Sequence, residues 1–130
     1  MGLDQHIIMA KNRKVLDMEG FWNEVYDYSD MDEDTEIKFD KPVIVFCQRK
    51  NWDLHRKIWD KHRKELDEGQ NDNGTYIQLD RDDLELILNF MTHNRDYFDG
   101  FRAVPSLCEL LQRYDEIREN GFQLFYEGDY

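Results

Sequence analysis

The chain has 130 residues and a formal net charge of −12, a length that fits one domain spanning residues 1–130. Its composition is 40% hydrophobic and 14% aromatic, which supports a folded core and excludes disorder throughout. The excess of acids disfavours direct binding to nucleic acid and favours either a partner with a basic face or imitation of the charge of DNA. The absence of a signal-peptide core and of any run of membrane-spanning length predicts a cytoplasmic protein without a membrane partner.

The first third of the chain predicts a strand, then an ambiguous segment, then an acidic loop. Residues 3–11 are predicted to form a strand with partly buried isoleucine and methionine side chains. Residues 15–28 have apolar side chains at helical spacing, although Gly20 disfavours a helix. Residues 27–40 contain seven acids and one lysine, so mutual repulsion predicts a solvated loop.

The middle of the chain predicts a strand, a long helix and a second strand. The apolar run 43–47 follows Pro42 and predicts a strand buried on both faces at the centre of a sheet. Residues 51–68 carry a stripe of aromatic, histidine and leucine side chains at steps of three and four, which predicts a helix that ends at Gly69. Residues 75–79 alternate in polarity, as a strand does.

The last part of the chain predicts two helices and a strand. Asp80 is a good N-cap, and Asp83 stands at the third helical position, as in a capping box. A further helix begins near Pro105, and Gly121 ends it before a strand at 122–126. These elements predict an α+β fold in which a small mixed, mainly antiparallel sheet packs against two to three helices.

Basic residues are concentrated in one segment. Residues 49–64 contain seven bases and two acids, a net charge of +5 within an acidic chain. One interpretation is that this segment docks near the protein's own acidic loop or forms solvated i,i+4 ion pairs. The other is a patch that binds phosphate or carboxylate, because guanidinium and ammonium groups donate to anionic oxygens. The candidate residues for such a patch are Arg49, Lys50, Arg56 and Lys57.

Two histidines stand on the predicted helix, two turns apart. The helical rise separates His55 from His62 by about 10 Å, too far for them to share a metal ion. With two tryptophans on the same stripe, they are interpreted as packing residues at the edge of the core, and no metal or other cofactor is expected. If the protein is an enzyme, His55 is the candidate acid or base, with Asp4 or Asp82 to orient it.

The motifs of familiar enzyme classes are missing from the sequence. There is no CxxC pair, phosphate-binding glycine-rich loop, GxSxG or HExxH motif. Cys47 and Cys108 each lie in apolar sequence, which predicts two buried free thiols in a reducing compartment. Whether the chain is an enzyme stays open, with the balance against it.

Several short segments resemble a known family. The chain opens with MGLD, continues with Arg-Lys at 49–50 and Leu-His at 54–55, and has Y-I-Q-L-D-R-D-D-L-E at 76–85 and F-Y-E-G-D-Y at 125–130. This order is similar to that of small tailed-phage and prophage proteins that begin MGLD and have no established activity. Some relatives carry a phosphoglycerate-kinase label, but this chain is short for that two-domain enzyme and lacks a nucleotide loop.

The resemblance implies a phage origin and a setting in the host cytoplasm. The chain departs from the family pattern at Gln5-His6, where an aromatic residue is usual, and at Gln48, where the family has tryptophan. Six polar residues match family positions and are the ones to test: Asp4, Arg49, Lys50, His55, Arg81 and Asp82.

Three functional hypotheses follow. The first is a phage accessory protein of host-takeover or counter-defence type, with partial DNA mimicry as its extreme form. It binds a host protein with a basic surface through Asp27, Asp30, Asp32, Glu33, Asp34 and Glu36. The alternative is a small phosphate- or nucleotide-handling enzyme or binder that uses the segment with Arg49, Lys50 and His55. The third is a virion or scaffold component that acts through oligomerisation, and the oligomeric state is open.

Overall fold

The structure, a computed structural model, describes residues 2–18, 20, 26–27, 42–63, 75–93 and 103–130. Along the chain the elements are β1 Asp4–Ala10, α1 Arg13–Leu16, β2 Tyr26–Asp27, β3 Val43–Arg49, α2 Trp52–His62, β4 Ile77–Leu79, α3 Arg81–His93, α4 Ala103–Gln112, α5 Tyr114–Glu119 and β5 Gln123–Asp129.

Strand β1 lies in the middle of a sheet with the order β2, β3, β1, β5, β4. It pairs antiparallel with β3 and β5, and β5 pairs antiparallel with β4. The short β2 is parallel to β3, with Tyr26 beside Val43 and Asp27 beside Ile44. The predicted α+β fold with a mixed, mainly antiparallel sheet is confirmed. The central strand is β1 rather than β3; both strands are almost entirely buried, so apolar character alone does not distinguish them.

A register shift in β3 increases the apolar area that faces the helices. Ile7 is paired with Phe46 and Ile8 with Ile44, so Val45 is an extra residue on β3. Such a bulge breaks the alternation of side chains between the two faces. As a result, the consecutive residues Val45 and Phe46 both join the core between sheet and helices.

Helices α2 to α5 cover one face of the sheet and share one core with it. Leu54 of α2, Ile87 of α3, Leu110 of α4 and Ile117 of α5 are at most 2% exposed, and all pack in this cluster. Burial of one such side chain contributes roughly 1.5–3 kcal/mol. The other face carries a smaller cluster, to which α1 contributes. Its buried members are Ile8, Ala10, Leu16, Ile44, Cys47 and Phe125.

Local signals at several helix ends are confirmed. Asn51 caps α2 by accepting a hydrogen bond from the backbone N–H of Leu54. Helix α3 begins immediately after Asp80, as the capping box predicts.

The single helix predicted from Pro105 to Gly121 is divided into α4 and α5, which meet at Arg113. Gly121 has φ of +81°, a left-handed conformation that glycine adopts easily, and it follows α5 before β5. Helix α2 ends at His62 with Arg63 as its C-cap, earlier than the predicted end at Gly69, which itself lies outside the described residues.

The segment 15–28, which the sequence left ambiguous, does not form a continuous helix. Helix α1 ends at Leu16, and Tyr26 is already in β2. Gly20 has φ of +81°, which no residue inside a right-handed helix adopts. The acidic segment beyond Asp27, which includes residues 28–40, lies outside the described residues.

Candidate functional site

The turn between β3 and α2 positions the start of α2 over β1. Lys50 has a left-handed backbone with φ of +58° and donates its N–H to the carbonyl of Leu3 over 2.7 Å. The side-chain oxygen of Gln5 accepts from the backbone N–H of Asn51 at 2.9 Å, and its nitrogen donates to the carbonyl of Asn51 at 3.1 Å. These bonds tie the cap of α2 to the central strand.

The His55 cluster consists of Gln5, Asn51, His55 and Tyr126, all of which are buried. The hydroxyl oxygen of Tyr126 accepts from Nε2 of Gln5 at 3.0 Å and lies 2.7 Å from Nδ1 of His55. A Cβ atom at Gly128 would lie 2.6 Å from Cε1 and Nδ1 of His55, so β5 can pass this ring only because residue 128 is glycine. The cluster is a hydrogen-bonded network that joins α2 to β1 and β5.

Aromatic rings surround His55 on several sides. The ring centroids of Trp52, Trp59 and Tyr130 lie 6.0, 6.1 and 6.1 Å from that of His55. His55 is 1% exposed. Its contacts therefore join the first two turns of α2 to the end of the chain, which is a structural role.

The His62 cluster consists of Lys61, His62, Asp80 and Asp83, where the end of α2 meets the start of α3. The Asp80 side chain accepts from the backbone N–H of Asp83 at 2.9 Å, and the Asp83 side chain accepts from that of Asp80 at 2.9 Å. The other carboxylate oxygen of Asp83 lies 2.6 Å from Nζ of Lys61 and 2.8 Å from Nε2 of His62. One carboxylate thus caps α3 and holds two side chains of α2.

The charges of this cluster stabilise one another. Burial on its own would lower the pKa of Lys61, but the hydrogen bond to Asp83 and the charges of Asp83 and Asp80 raise it above its usual value. Burial would likewise raise the pKa of Asp80, but hydrogen bonds from Asp83 and the charge of Lys61 lower it. Lys61 and Asp80 are therefore both charged at neutral pH.

An open cleft of about 350 Å³ borders the His62 cluster. It is lined by Lys61, His62, Gln78, Leu79, Asp80, Tyr114 and Arg118. Arg81 lies over the ring of Tyr114, 5.0 Å from its centroid, and pairs with Asp115 at 3.3 Å. The cleft is therefore lined by charged side chains from α2, from α5 and from Asp80, together with the aromatic side chain of Tyr114.

A third titratable group is buried in β5. Burial raises the pKa of Glu127 to about 7, a hydrogen bond from Tyr76 lowers it in part, and the charge of Asp129 raises it further. Nδ1 of His6, on the neighbouring strand β1, lies 3.9 Å from the Glu127 carboxylate. This group belongs to the sheet and is not among the residues that line the cleft.

The residues of the basic patch predicted from the sequence are exposed to solvent. Arg49, Lys50, Arg56 and Lys57 are all exposed. Arg49 pairs with Asp4 at 3.3 Å and Arg56 with Asp53 at 3.5 Å, while Lys57 lies 5.9 Å from the ring centroid of Phe90. These described members of the basic segment face solvent.

The residues predicted for catalysis do not come together around His55. His55 is buried against Tyr126, whereas Asp4 is exposed and pairs with Arg49. Asp82 is exposed in the first turn of α3. Among the acidic partner-binding candidates, Asp27 lies in β2, and Asp30, Asp32, Glu33, Asp34 and Glu36 lie outside the described residues.

Sequence reasoning missed the second cluster. It identified Asp80 and Asp83 as helix caps and His62 as a packing residue, but it did not connect them. No signal in the sequence singles out Lys61 or His62, because the predicted helix continues to residue 68 and His55 stands on the same stripe as His62. Arg118 had no local signal.

Among the residues that the structure describes, no group of three or more His, Cys, Asp or Glu side chains is arranged to hold a metal ion. Cys47 and Cys108 are free thiols; Cys47 is buried as predicted, and Cys108 is half-buried. No helix in the described parts of the chain is long and apolar enough to span a membrane. Comparisons with protein-family models, curated proteins and solved structures find no match to this chain.

Proposed function

We propose that the protein is a small binding protein whose acidic segment, residues 27–40, engages a basic surface on a partner protein. The observation that carries this proposal is the position of the segment's two ends. Asp27 in β2 lies beside Ile44 in β3, and β3 begins at Val43, only three residues after the segment ends. The most acidic part of the chain therefore leaves and re-enters the sheet at adjacent strands.

The density of negative charge is much higher in this segment than in the rest of the chain. Its seven acids and one lysine amount to −6, which is half of the net charge of −12. On the described surface, by contrast, exposed charges are often paired: Arg49 with Asp4, Arg56 with Asp53 and Arg63 with Asp60. A concentrated negative charge attracts a basic surface over a Debye length and increases the association rate.

The sequence resemblance implies a phage setting, and this setting suggests that the partner comes from the host cell. In that setting the partner is a host protein in the cytoplasm, and the protein acts during host takeover or against host defence. A basic partner surface includes the nucleic-acid-binding faces of host proteins, so competition with nucleic acid is one way for such a protein to act.

The phosphate-handling alternative based on Arg49, Lys50 and His55 has less support from the geometry. A clamp with an acid or base requires these side chains to converge on one reacting group. Here His55 is 1% exposed and bonded to Tyr126, while Arg49 is paired with Asp4 at the exposed end of β3.

The proposal is tested by capturing partners of the tagged protein from infected host cells and measuring the affinity of the purified partner. The triple variant Asp30→Asn, Asp32→Asn, Asp34→Asn removes three charges from the segment. The matched control Asp17→Asn, Asp82→Asn, Asp129→Asn removes three exposed charges from other elements. We expect at least a tenfold loss of affinity in the segment variant at low salt, little change in the control, and weaker binding of the parent protein at high salt.

If the parent protein and the segment variant bound the captured partner with equal affinity, the proposed role of the acidic segment would be wrong. A captured partner whose binding does not respond to salt would also contradict the proposal, because an acidic segment on a basic surface acts through screened charges.

A further inference from the structure

We propose that the cleft between α2, β4 and α5 is a binding site for a small organic phosphate, in which Arg118 and Lys61 hold a phosphomonoester group. The site is distinct from the acidic segment and from the basic patch at residues 49–57. Its ligand is recognised through charge and size rather than through a sequence motif.

Arg118 is the first element of this site. Its side chain makes no hydrogen bond or ion pair with the residues that the structure describes, although it lines the cleft. Other described arginines are engaged by acids: Arg81 by Asp115 at 3.3 Å and Arg113 by Glu116 at 3.0 Å. A guanidinium presents a planar fork of donors that matches a phosphate.

Lys61 is the second element, and its position is fixed. Its ammonium lies 2.6 Å from Asp83 and 3.6 Å from Asp80, and the side chain is 34% exposed. An ammonium has three donors, so two carboxylate contacts leave one for a ligand. Asp83 also holds His62 at 2.8 Å, so this wall of the cleft is formed before a ligand arrives.

The chemistry of the lining favours a phosphate over a carboxylate. Asp80 also lines the cleft and repels an anion, although Lys61 and the N–H of Asp83 already compensate much of its charge. A dianion that contacts both Arg118 and Lys61 gains more than a monoanion that contacts one of them. A phosphomonoester is close to dianionic at neutral pH.

The size of the cleft favours a phosphate with an organic body. Its volume of about 350 Å³ lies within the range of small-molecule pockets. Tyr114 and Leu79 provide an aromatic and an aliphatic surface beside the two cations. An inorganic phosphate ion would leave these surfaces unused.

The site is tested by NMR titration of the ¹⁵N-labelled full-length protein with phenyl phosphate in a buffer of low ionic strength without phosphate. Benzoate and inorganic phosphate are the comparison probes. We expect saturable shifts of the backbone signals of Lys61, His62, Gln78, Tyr114 and Arg118 with phenyl phosphate, and binding at least tenfold weaker with benzoate and with inorganic phosphate.

Arg118→Gln is the decisive variant, because Arg118 is exposed and its side chain supports no described contact. We expect it to bind phenyl phosphate at least tenfold more weakly while its thermal unfolding stays unchanged. Arg49→Gln makes the same charge change at the opposite end of the sheet and is the matched control, with unchanged binding expected.

Several results would overturn the proposal. Equal weakening by Arg49→Gln and Arg118→Gln would show general electrostatic attraction, and weakening by Arg49→Gln alone would place the site in the basic patch. An affinity for benzoate equal to that for phenyl phosphate would contradict the preference for phosphate. An affinity for inorganic phosphate equal to that for phenyl phosphate would show that the organic part of the ligand contributes nothing. Shifts that do not saturate would exclude a specific site. The charge variants of the acidic segment do not alter the residues of the cleft. A failure of the partner-binding proposal would therefore leave the phenyl phosphate result standing.

Discussion

His55 and His62 lie two turns apart on α2, and their surroundings differ. His55 is 2.7 Å from the neutral hydroxyl of Tyr126, inside a network of amides and aromatic rings. His62 is 2.8 Å from the carboxylate of Asp83, which it shares with Lys61, and it lines an open cleft. Both rings are buried, at 1% and 7% exposure.

The comparison shows that burial of a histidine does not by itself indicate its role. In the His55 cluster the partners are uncharged and the strand passes too closely for any added atom at Gly128, so the network serves the fold. In the His62 cluster the partners are charged and one of them, Lys61, also reaches the cleft. A charged, partly exposed group retains the capacity to interact with a ligand.

The largest effect is expected from Asp83→Asn, which removes the charge at the centre of the His62 cluster. We expect a loss of about 3 kcal/mol in the free energy of unfolding, because Lys61 loses its closest acid and the reciprocal cap of α3 is weakened. Urea unfolding measures this loss. The neighbouring exposed Asp82→Asn is the control, and a loss of comparable size there would show that the effect is a general one of charge.

A smaller effect is expected from Tyr126→Phe in the His55 cluster. The change removes one oxygen and leaves the buried Gln5 and His55 without that partner, so we expect a loss of about 2.5 kcal/mol. Tyr114→Phe is the control, since Tyr114 is only half-buried. If Tyr126→Phe were as mild as Tyr114→Phe, the His55 cluster would not support the fold.

Gly128→Ala tests the close approach of β5 to His55. The new methyl group would meet the imidazole ring at 2.6 Å, and we expect a loss of about 2 kcal/mol from the displacement of a buried ring. Gly2→Ala has nothing within 4 Å and is the control. Thermal unfolding of both variants measures the difference, and equal unfolding temperatures would show that β5 moves away without cost.

Glu127 offers a further comparison, because it is a buried acid like Asp83 but has no lysine beside it among the described contacts. Its folded-state pKa of about 7 lies above the ordinary value of 4.5, so the folded protein holds this proton more tightly than the unfolded chain. The stabilising contribution is complete below pH 4.5 and is lost as the pH rises to about 7.

We expect the folded protein to lose stability, on the order of 1 kcal/mol, across that interval. Urea unfolding at several pH values, compared with Glu127→Gln, isolates the contribution. Parallel pH profiles of the two proteins would contradict it.

The sequence predicts features that depend on neighbouring residues. The capping box of Asp80 and Asp83, the end of α5 at Gly121 and the strand at β1 each have a short-range signal, and each is present. The segment 15–28 stayed ambiguous in the sequence, because its apolar spacing favours a helix and Gly20 disfavours one; the left-handed backbone at that glycine interrupts the helix. Strand order was not predictable, because β1 and β3 are similarly apolar.

The candidate site depends on contacts between residues that are far apart in the sequence. His62 and Asp83 are separated by 21 positions, and His55 and Tyr126 by 71, so no spacing rule connects them. The sequence therefore indicated both histidines but favoured His55 for chemistry. The cleft with Arg118 requires the packing of α5 beside β4, which only the folded chain shows.

The most direct test of the difference between the two clusters is the NMR spectrum of the histidine side chains during titration with phenyl phosphate. His6 and His93 lie outside both clusters and serve as internal references. The account predicts that the ring signals of His62 shift with saturation while those of His55 stay constant. A shift of His55, or constant signals of both rings at saturating ligand, would contradict it.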